Sequence, residues 1–401
     1  MTDRLSPDTL ARVHDALAAH VRTGRMPGLV YLVAAGDAVH VEAIGRPAFD
    51  ADRALRTDDL FRIASLTKPI TAVAALTLVQ DGALRLDQSV DGLLPELADR
   101  RVLRRPDAEL DDTVPAERAI TVEDLLTFRC GMGSPMVEPG STPLMRAEAA
   151  LDLRSIGGPP WPPTDHDVDS WIAALGTLPW LAQPGQRWLY NTSAQILGVL
   201  IARTTAQPLE AVLRARVLEP CGTADTGFHI DPVNLDRVTT AYGTDPATGG
   251  PRVTDDPAHS SWSAPPSFPD ASGMLVSTIH DYWSFVSTLI GGELLQPATF
   301  TAMTTDQLTP AQREGAPPFL GGPDSWGLGL LVPSATPEGA SAPFPTGIGW
   351  DGGSGCTWRT NLRTGVTGIL LTQREMDSPE SPAVFQDFWS TLSRFGADRT
   401  S

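Results

Sequence analysis

Phe61-Arg62-Ile63-Ala64-Ser65-Leu66-Thr67-Lys68-Pro69 is the stretch on which the reading of this chain turns. Phe61 to Ala64 reads as a short strand running into Ser65. From Lys68 to Gln80 the chain is apolar nearly all round, with Ile70, Val73, Leu76, Leu78 and Val79, which predicts a buried helix. Pro69 fits the first turn of such a helix, and Gly82 caps its end. Positions i and i+3 share a face at a helix start, so the Lys68 amine can reach the Ser65 hydroxyl. A serine hydroxyl is a poor nucleophile at neutral pH and needs a neighbouring base. The helix N-terminus brings positive potential to a developing oxyanion and opposes protonation of the lysine.

A serine three residues before a lysine is common by chance, and composition is what lifts this one. The 401-residue chain holds 30 basic residues, 29 of them Arg, and Lys68 is the single Lys. A guanidinium keeps its proton in a protein, whereas a buried amine can be tuned to lose it. The one lysine therefore stands where general-base chemistry requires one. The bland alternative is a helix cap beside a surface lysine.

Outward from this junction, Ser6-Pro7 opens an amphipathic helix carrying Leu10, Val13, Leu17 and Val21 on one face, and Gly24 closes it. Leu29–Ala35 and His40–Ile44 read as strands joined at Gly36-Asp37. Strand patterns return at Trp326–Val332, Thr357–Leu362 and Val366–Thr372, after a helix over Ile279–Leu289 and before a last one over Pro382–Phe395. Between them lie helical stretches at Thr121–Phe128 and Ser193–Val217, with long Pro/Gly-rich loops, densest at Gly157–Pro163. The expected fold is α+β. An antiparallel sheet is built from both chain ends, residues 1–86 with 282–401, and flanked by helices. A mostly helical domain over 87–281 is inserted, and the site lies in the cleft between the two.

Composition narrows the function. A net charge of −18 with no basic block excludes a nucleic-acid partner. No run of 18 apolar residues spans a membrane, and the N-terminus lacks the apolar core of a signal peptide. Cys130, Cys221 and Cys356 are odd in number and far apart, showing neither a fully paired framework nor metal-ligand spacing. The expectation is a cytoplasmic protein without metal or cofactor.

With these residues in view, the chain resembles the serine β-lactamase-like proteins, in the branch shared by class C β-lactamases, family VIII carboxylesterases and transacylases. Phe61–Lys68 resembles the nucleophile motif, Gln183–Thr192 with Tyr190-Asn191 the second motif, and Gly349-Trp350-Asp351-Gly352-Gly353 the third. Thr121–Phe128 and Ser272–Thr278 also look like family segments, and the likeness runs in order over residues 8–376. It implies a β-lactamase/penicillin-binding-protein-like fold, with Ser65, Lys68 and Tyr190 as the catalytic unit. It also implies that the N–H groups of Ser65 and Gly353 form the oxyanion hole, with Asn191, Trp350, Asp351 and Gly352 against the substrate. Two departures matter. Relatives carry Tyr-x-Asn where this chain has Tyr190-Asn191, so either Asn191 fills the role across a deletion or that contact is lost. Trp350 replaces a cation common in β-lactamases, which argues against β-lactams, although Arg359 could restore a charge nearby and Trp350 could simply be core.

Gly347–Gly352 matches the dinucleotide fingerprint in letters but lacks a following helix. Thr164-Asp165-His166-Asp167 reads as a solvated acidic loop rather than a metal fragment, and no Gly-x-Ser-x-Gly elbow exists. The reading is a serine hydrolase working through an acyl-enzyme on a small-molecule ester, most simply a carboxylesterase. The alternative is a transacylase that passes the acyl group to an amine or alcohol. A β-lactamase or peptidase, or a non-catalytic binding protein on the same fold, stands behind these. Oligomeric state is not readable.

Overall fold

The computed structural model describes residues 5–397 apart from 135–136, 154–163, 315, 317–318, 322 and 335–346. The Gly157–Pro163 segment therefore lies outside the described residues. Seven strands form one antiparallel sheet in the order Ala38–Gly45, Gly28–Ala35, Val366–Thr372, Cys356–Asn361, Ile348–Gly352, Leu331–Pro333 and Asp324–Trp326. N-terminal and C-terminal strands meet where Leu29 pairs with Thr372 and Ala35 with Val366.

The alternation of side chains along a strand assigns its two faces. Leu29, Tyr31 and Val33 join Leu370 beneath the terminal helices Pro7–Arg22 and Ala383–Ala397, with Leu17, Phe385, Phe388 and Trp389. Val30, Leu32 and Ala34 point the other way, into a larger core shared with the helical region. Burial on both faces explains why Gly28–Ala35 is apolar at every position.

That larger core closes around the helix Thr67–Gln80, buried over all but its last two residues, as its unbroken apolar composition predicts. It continues into Thr192–Thr205 and Leu209–Leu213. The expected single helix Ser193–Val217 is broken: Ala206 turns left-handed at φ 52°, and Pro208 cannot extend a helix through its preceding residue. The expected Trp326–Val332 strand is a hairpin, Asp324–Trp326 and Leu331–Pro333, turned at Gly329 with φ 89°. The helical region also carries short antiparallel pairs, Arg101–Leu103 with Thr113–Pro115 and Ala241–Thr244 with Pro251–Asp255.

Candidate active site

Phe61–Arg62 pairs antiparallel with Val276–Ser277, and the Ile63 N–H continues the ladder to the Leu275 carbonyl at 3.0 Å. The strand then stops. Ala64 takes φ 40°, a conformation that costs an L-residue about 1 kcal/mol, and a 3-10 turn over Ala64–Leu66 leads into the helix. This bend lifts Ser65 out of the ladder and sets its side chain at the helix mouth. The turn is braced from three sides. Thr67 Oγ1 accepts from Leu275 N–H at 3.1 Å, and Tyr282 Oη donates to the Leu66 carbonyl at 3.3 Å. On the third side the strand Ile348–Gly352 passes so close that a Cβ on Gly352 would lie 2.5 Å from the Ile63 carbonyl.

Lys68 Nζ lies 2.8 Å from Ser65 Oγ and donates to the Ser272 carbonyl at 2.6 Å. It is 2% exposed, and burial pulls its pKa down from 10.5 to about 7, with Asp270 opposing the shift. Tyr190 comes from a segment held at both ends. Leu189 N–H bonds the Phe128 carbonyl at 2.8 Å, and Ser134 N–H bonds the Tyr190 carbonyl at 3.0 Å. Tyr190 Oη donates to Ser65 Oγ at 2.7 Å, and Trp350 Nε1 donates to Tyr190 Oη at 3.1 Å. Burial raises the Tyr190 pKa to about 12, so it stays a phenol at neutral pH. Lys68 Nζ also sits over the Tyr190 ring, 4.5 Å from its centre.

The Trp350 end of this hydrogen-bond chain fixes its direction as far as Ser65. An indole N–H can only donate, so the phenol it bonds turns its own proton toward Ser65. A carbonyl can only accept, so Lys68 spends an N–H on Ser272 and, when neutral, turns its lone pair to the Ser65 hydroxyl proton. With Lys68 protonated its ammonium donates to Ser65 Oγ; with Lys68 neutral and accepting, Trp350 to Tyr190 to Ser65 to Lys68 is one directed path.

The structure brings together Ser65, Lys68, Tyr190 and Trp350. Asn191 follows Tyr190 with φ 84° and turns the chain into the helix Thr192–Thr205. Gly352 abuts the Ser65 turn, while a Cβ on Gly353 would meet nothing within 4 Å, leaving that position open. Asp351 points elsewhere. Its carboxylate takes both guanidinium N–H groups of Arg359, at 3.0 and 3.1 Å, and the Thr357 hydroxyl at 2.5 Å. Thr357 in turn accepts from Trp389 Nε1 on the C-terminal helix at 3.2 Å, which places this cluster on the sheet face opposite Trp350. The geometry thus offers no side-chain contact between Asp351 and a substrate over Ser65, and Arg359 is neutralised rather than a free cation.

Several neighbours have no sequence signature that singled them out. Phe319 stacks on Tyr190 at 4.2 Å between ring centres, and Trp326 meets Trp350 edge-on at 4.7 Å. Phe128 backs Trp326 at 4.6 Å, so an aromatic wall stands behind Tyr190 and Trp350. The Ser272 carbonyl belongs to a segment that only the family likeness flagged. Among the described residues no group of His, Cys, Asp and Glu is arranged to hold a metal. His166 bonds the Leu151 carbonyl at 2.8 Å, and Asp167 caps the helix Val168–Gly176. Ile348–Gly352 is a strand with no helix after it, so the dinucleotide fingerprint fails in context.

A family model described as Beta-lactamase matches residues 13–385. The chain is 36% identical over 349 residues to Protein Rv1367c of Mycobacterium tuberculosis, covering 84% of this chain and 82% of that one. It is 28% identical over 389 residues to the esterase EstB of Burkholderia gladioli, covering 93% and 92%. Among solved structures, EstCE1, titled a hydrolase with promiscuous acyltransferase activity, superposes with a TM-score of 0.78 at 21% identity, covering 96% and 98%.

Proposed function

This chain belongs to the Beta-lactamase family, and from that premise we propose that it cleaves small or medium acyl esters through an acyl-enzyme on Ser65. The observation that carries the reading is the directed chain from Trp350 through Tyr190 and Ser65 to Lys68. Ser65 Oγ attacks the ester carbonyl as its proton passes to neutral Lys68. The tetrahedral oxyanion rests on the N–H groups of Ser65 and Gly353, with Gly352 keeping the strand close to the turn. Tyr190 hands its proton to the leaving alkoxide oxygen and is reprotonated by Lys68. Water then attacks the acyl carbonyl as its proton passes to Lys68, and the bond to Ser65 Oγ breaks to release the acid while Lys68 returns that proton to Ser65 Oγ. The scheme draws on no metal or cofactor.

The substrate side of the site would be walled by Trp350, Asn191 and the aromatic cluster. With Trp350 where relatives carry a cation and Arg359 tied to Asp351, a substrate carboxylate finds no partner there, which favours neutral esters over β-lactams. The printed name of EstB supports the same direction. Three buried free thiols fit a reducing compartment, and we place the protein in the cytoplasm.

The test is hydrolysis of p-nitrophenyl butyrate by the wild type and Ser65→Ala, with and without an added alcohol or amine. A fall of about 10³-fold or more in the variant is expected. Equal nitrophenol release from both proteins contradicts the assignment. Diversion of product from butyrate to butyrate ester or amide in the presence of the nucleophile would establish the transacylase instead.

A further inference from the structure

Lys68 has a second shell of contacts that the reaction scheme does not use. The segment Asp270–Leu275 is sewn to the helix Thr67–Gln80 by Thr71 Oγ1 donating to the Ala271 carbonyl at 2.9 Å and by the Leu275–Thr67 bond. Within it, Ser272 presents its carbonyl to Lys68 Nζ while its N–H donates to Asp270 Oδ1 at 2.7 Å. The other oxygen, Asp270 Oδ2, accepts from Gln195 Nε2 at 2.9 Å. Asp270 is 7% exposed, Ser272 3% and Gln195 2%, so a carboxylate sits in the protein interior with one residue, Ser272, between it and the amine. No arginine pairs with Asp270 in any of these contacts.

We propose that Asp270 is a positioning residue for the reaction. It holds the Ser272 carbonyl on Lys68 and supplies the negative charge that keeps the buried ammonium stable enough to exist as an intermediate. The inference rests on Lys68 being the base. A lysine buried with neutral partners alone would bind a proton so weakly that it could not take one from serine. A carboxylate held next to the amine through Ser272 offsets that desolvation. Burial and Asp270 act in opposite directions on Lys68, in the sense this geometry requires. Among the described residues, the other titratable or charged groups around the amine are Tyr190, a phenol at neutral pH, and beyond it Asp351, already paired with Arg359.

The single lysine makes the test direct. In protein labelled with 13C at lysine Cε, one resonance reports Lys68, and its pH titration needs no substrate. Asp270→Asn keeps the shape and the acceptor for Ser272 N–H. Gln195 can turn its amide so that Oε1, which has no hydrogen-bond partner, accepts from the new Nδ2. The expected result is a midpoint lower by about one pH unit or more, as for loss of an opposite charge at this range. The ascending limb of kcat/KM should move down with it, and Asp270→Glu should return both toward wild type. If Asp270→Asn does not fold, Asp270→Ser retains an acceptor for Ser272 N–H without the charge and must show the same displacement. An unchanged or raised midpoint in a folded neutral variant overturns the proposal. A wild-type midpoint near 10 would instead overturn the assignment of Lys68 as the base, so the two failures are distinct.

Discussion

Replacing Lys68 by Met removes a buried ionisable group that holds its proton much less tightly in the fold than in the open chain. Burial takes the amine from 10.5 in the open chain to about 7 in the fold. Between those values the unfolded chain binds one more proton than the folded one, so this group makes folding more favourable as pH rises. Below pH 7 both states are protonated and the penalty for burying the ammonium is fully present. Above 10.5 both are neutral and it is gone. The slope inside the window is about 1.4 kcal/mol per pH unit, and the whole span is about 5 kcal/mol. Urea unfolding of wild type and Lys68→Met at closely spaced pH values gives the difference directly. The buried thiols of Cys130, Cys221 and Cys356, whose pKa values burial raises, weaken the fold at high pH but are common to both proteins. The wild-type minus Met difference should be flat below pH 7 and climb steadily toward pH 10. The same ionisation should appear as an ascending limb of kcat/KM near pH 7. A difference that stays level from pH 6 to 10 would mean an ordinary, solvated lysine with no shift on burial.

Tyr190→Phe keeps the stacked ring but removes the proton donor to Ser65 and the acceptor for Trp350. It should lose about 10²-fold or more in kcat on p-nitrophenyl butyrate with the fold intact by circular dichroism. Because burial raises the Tyr190 pKa to about 12, wild-type activity should hold its plateau to pH 10, and an earlier descending limb would contradict that phenol's environment. Gly352→Ala puts a Cβ 2.5 Å from the Ile63 carbonyl, so it should cost about 1–3 kcal/mol in urea unfolding and depress activity by shifting the Ser65 turn. Nitrocefin should be cleaved with a kcat/KM at least about tenfold below that of the ester, since one charge-assisted contact is missing. Comparable values would mean that another group binds the carboxylate.

The contact between Ser65 and Lys68 was legible because their relation is local. Three residues at a strand-to-helix junction fix Ser65 against Lys68 whatever the rest of the chain does. Val366–Thr372 was legible for a similar reason, as a run rich in β-branched and aliphatic residues opening directly after Gly365. Tyr190 was legible only through the family likeness, since a separation of 125 positions from Ser65 carries no periodic signal of contact. The Ser272 carbonyl was not legible at all: every residue has one, and this one reaches Lys68 across 204 positions. Asp351 was misjudged where simple parity applied. With Trp350 facing the cleft, its neighbour on the strand must face the other side. Pro208 likewise marked the break in the long helix that the apolar periodicity had masked.

The account stands or falls on the covalent intermediate. Intact mass after millisecond-to-second exposure to p-nitrophenyl butyrate, with peptide mapping, measures it directly in wild type and Ser65→Ala. The expected result is a butyryl adduct on the peptide containing Ser65 that decays in water as butyrate appears, and no adduct on the Ala variant. Nitrophenol release without any adduct at Ser65, or an adduct of equal size on both proteins, would contradict it.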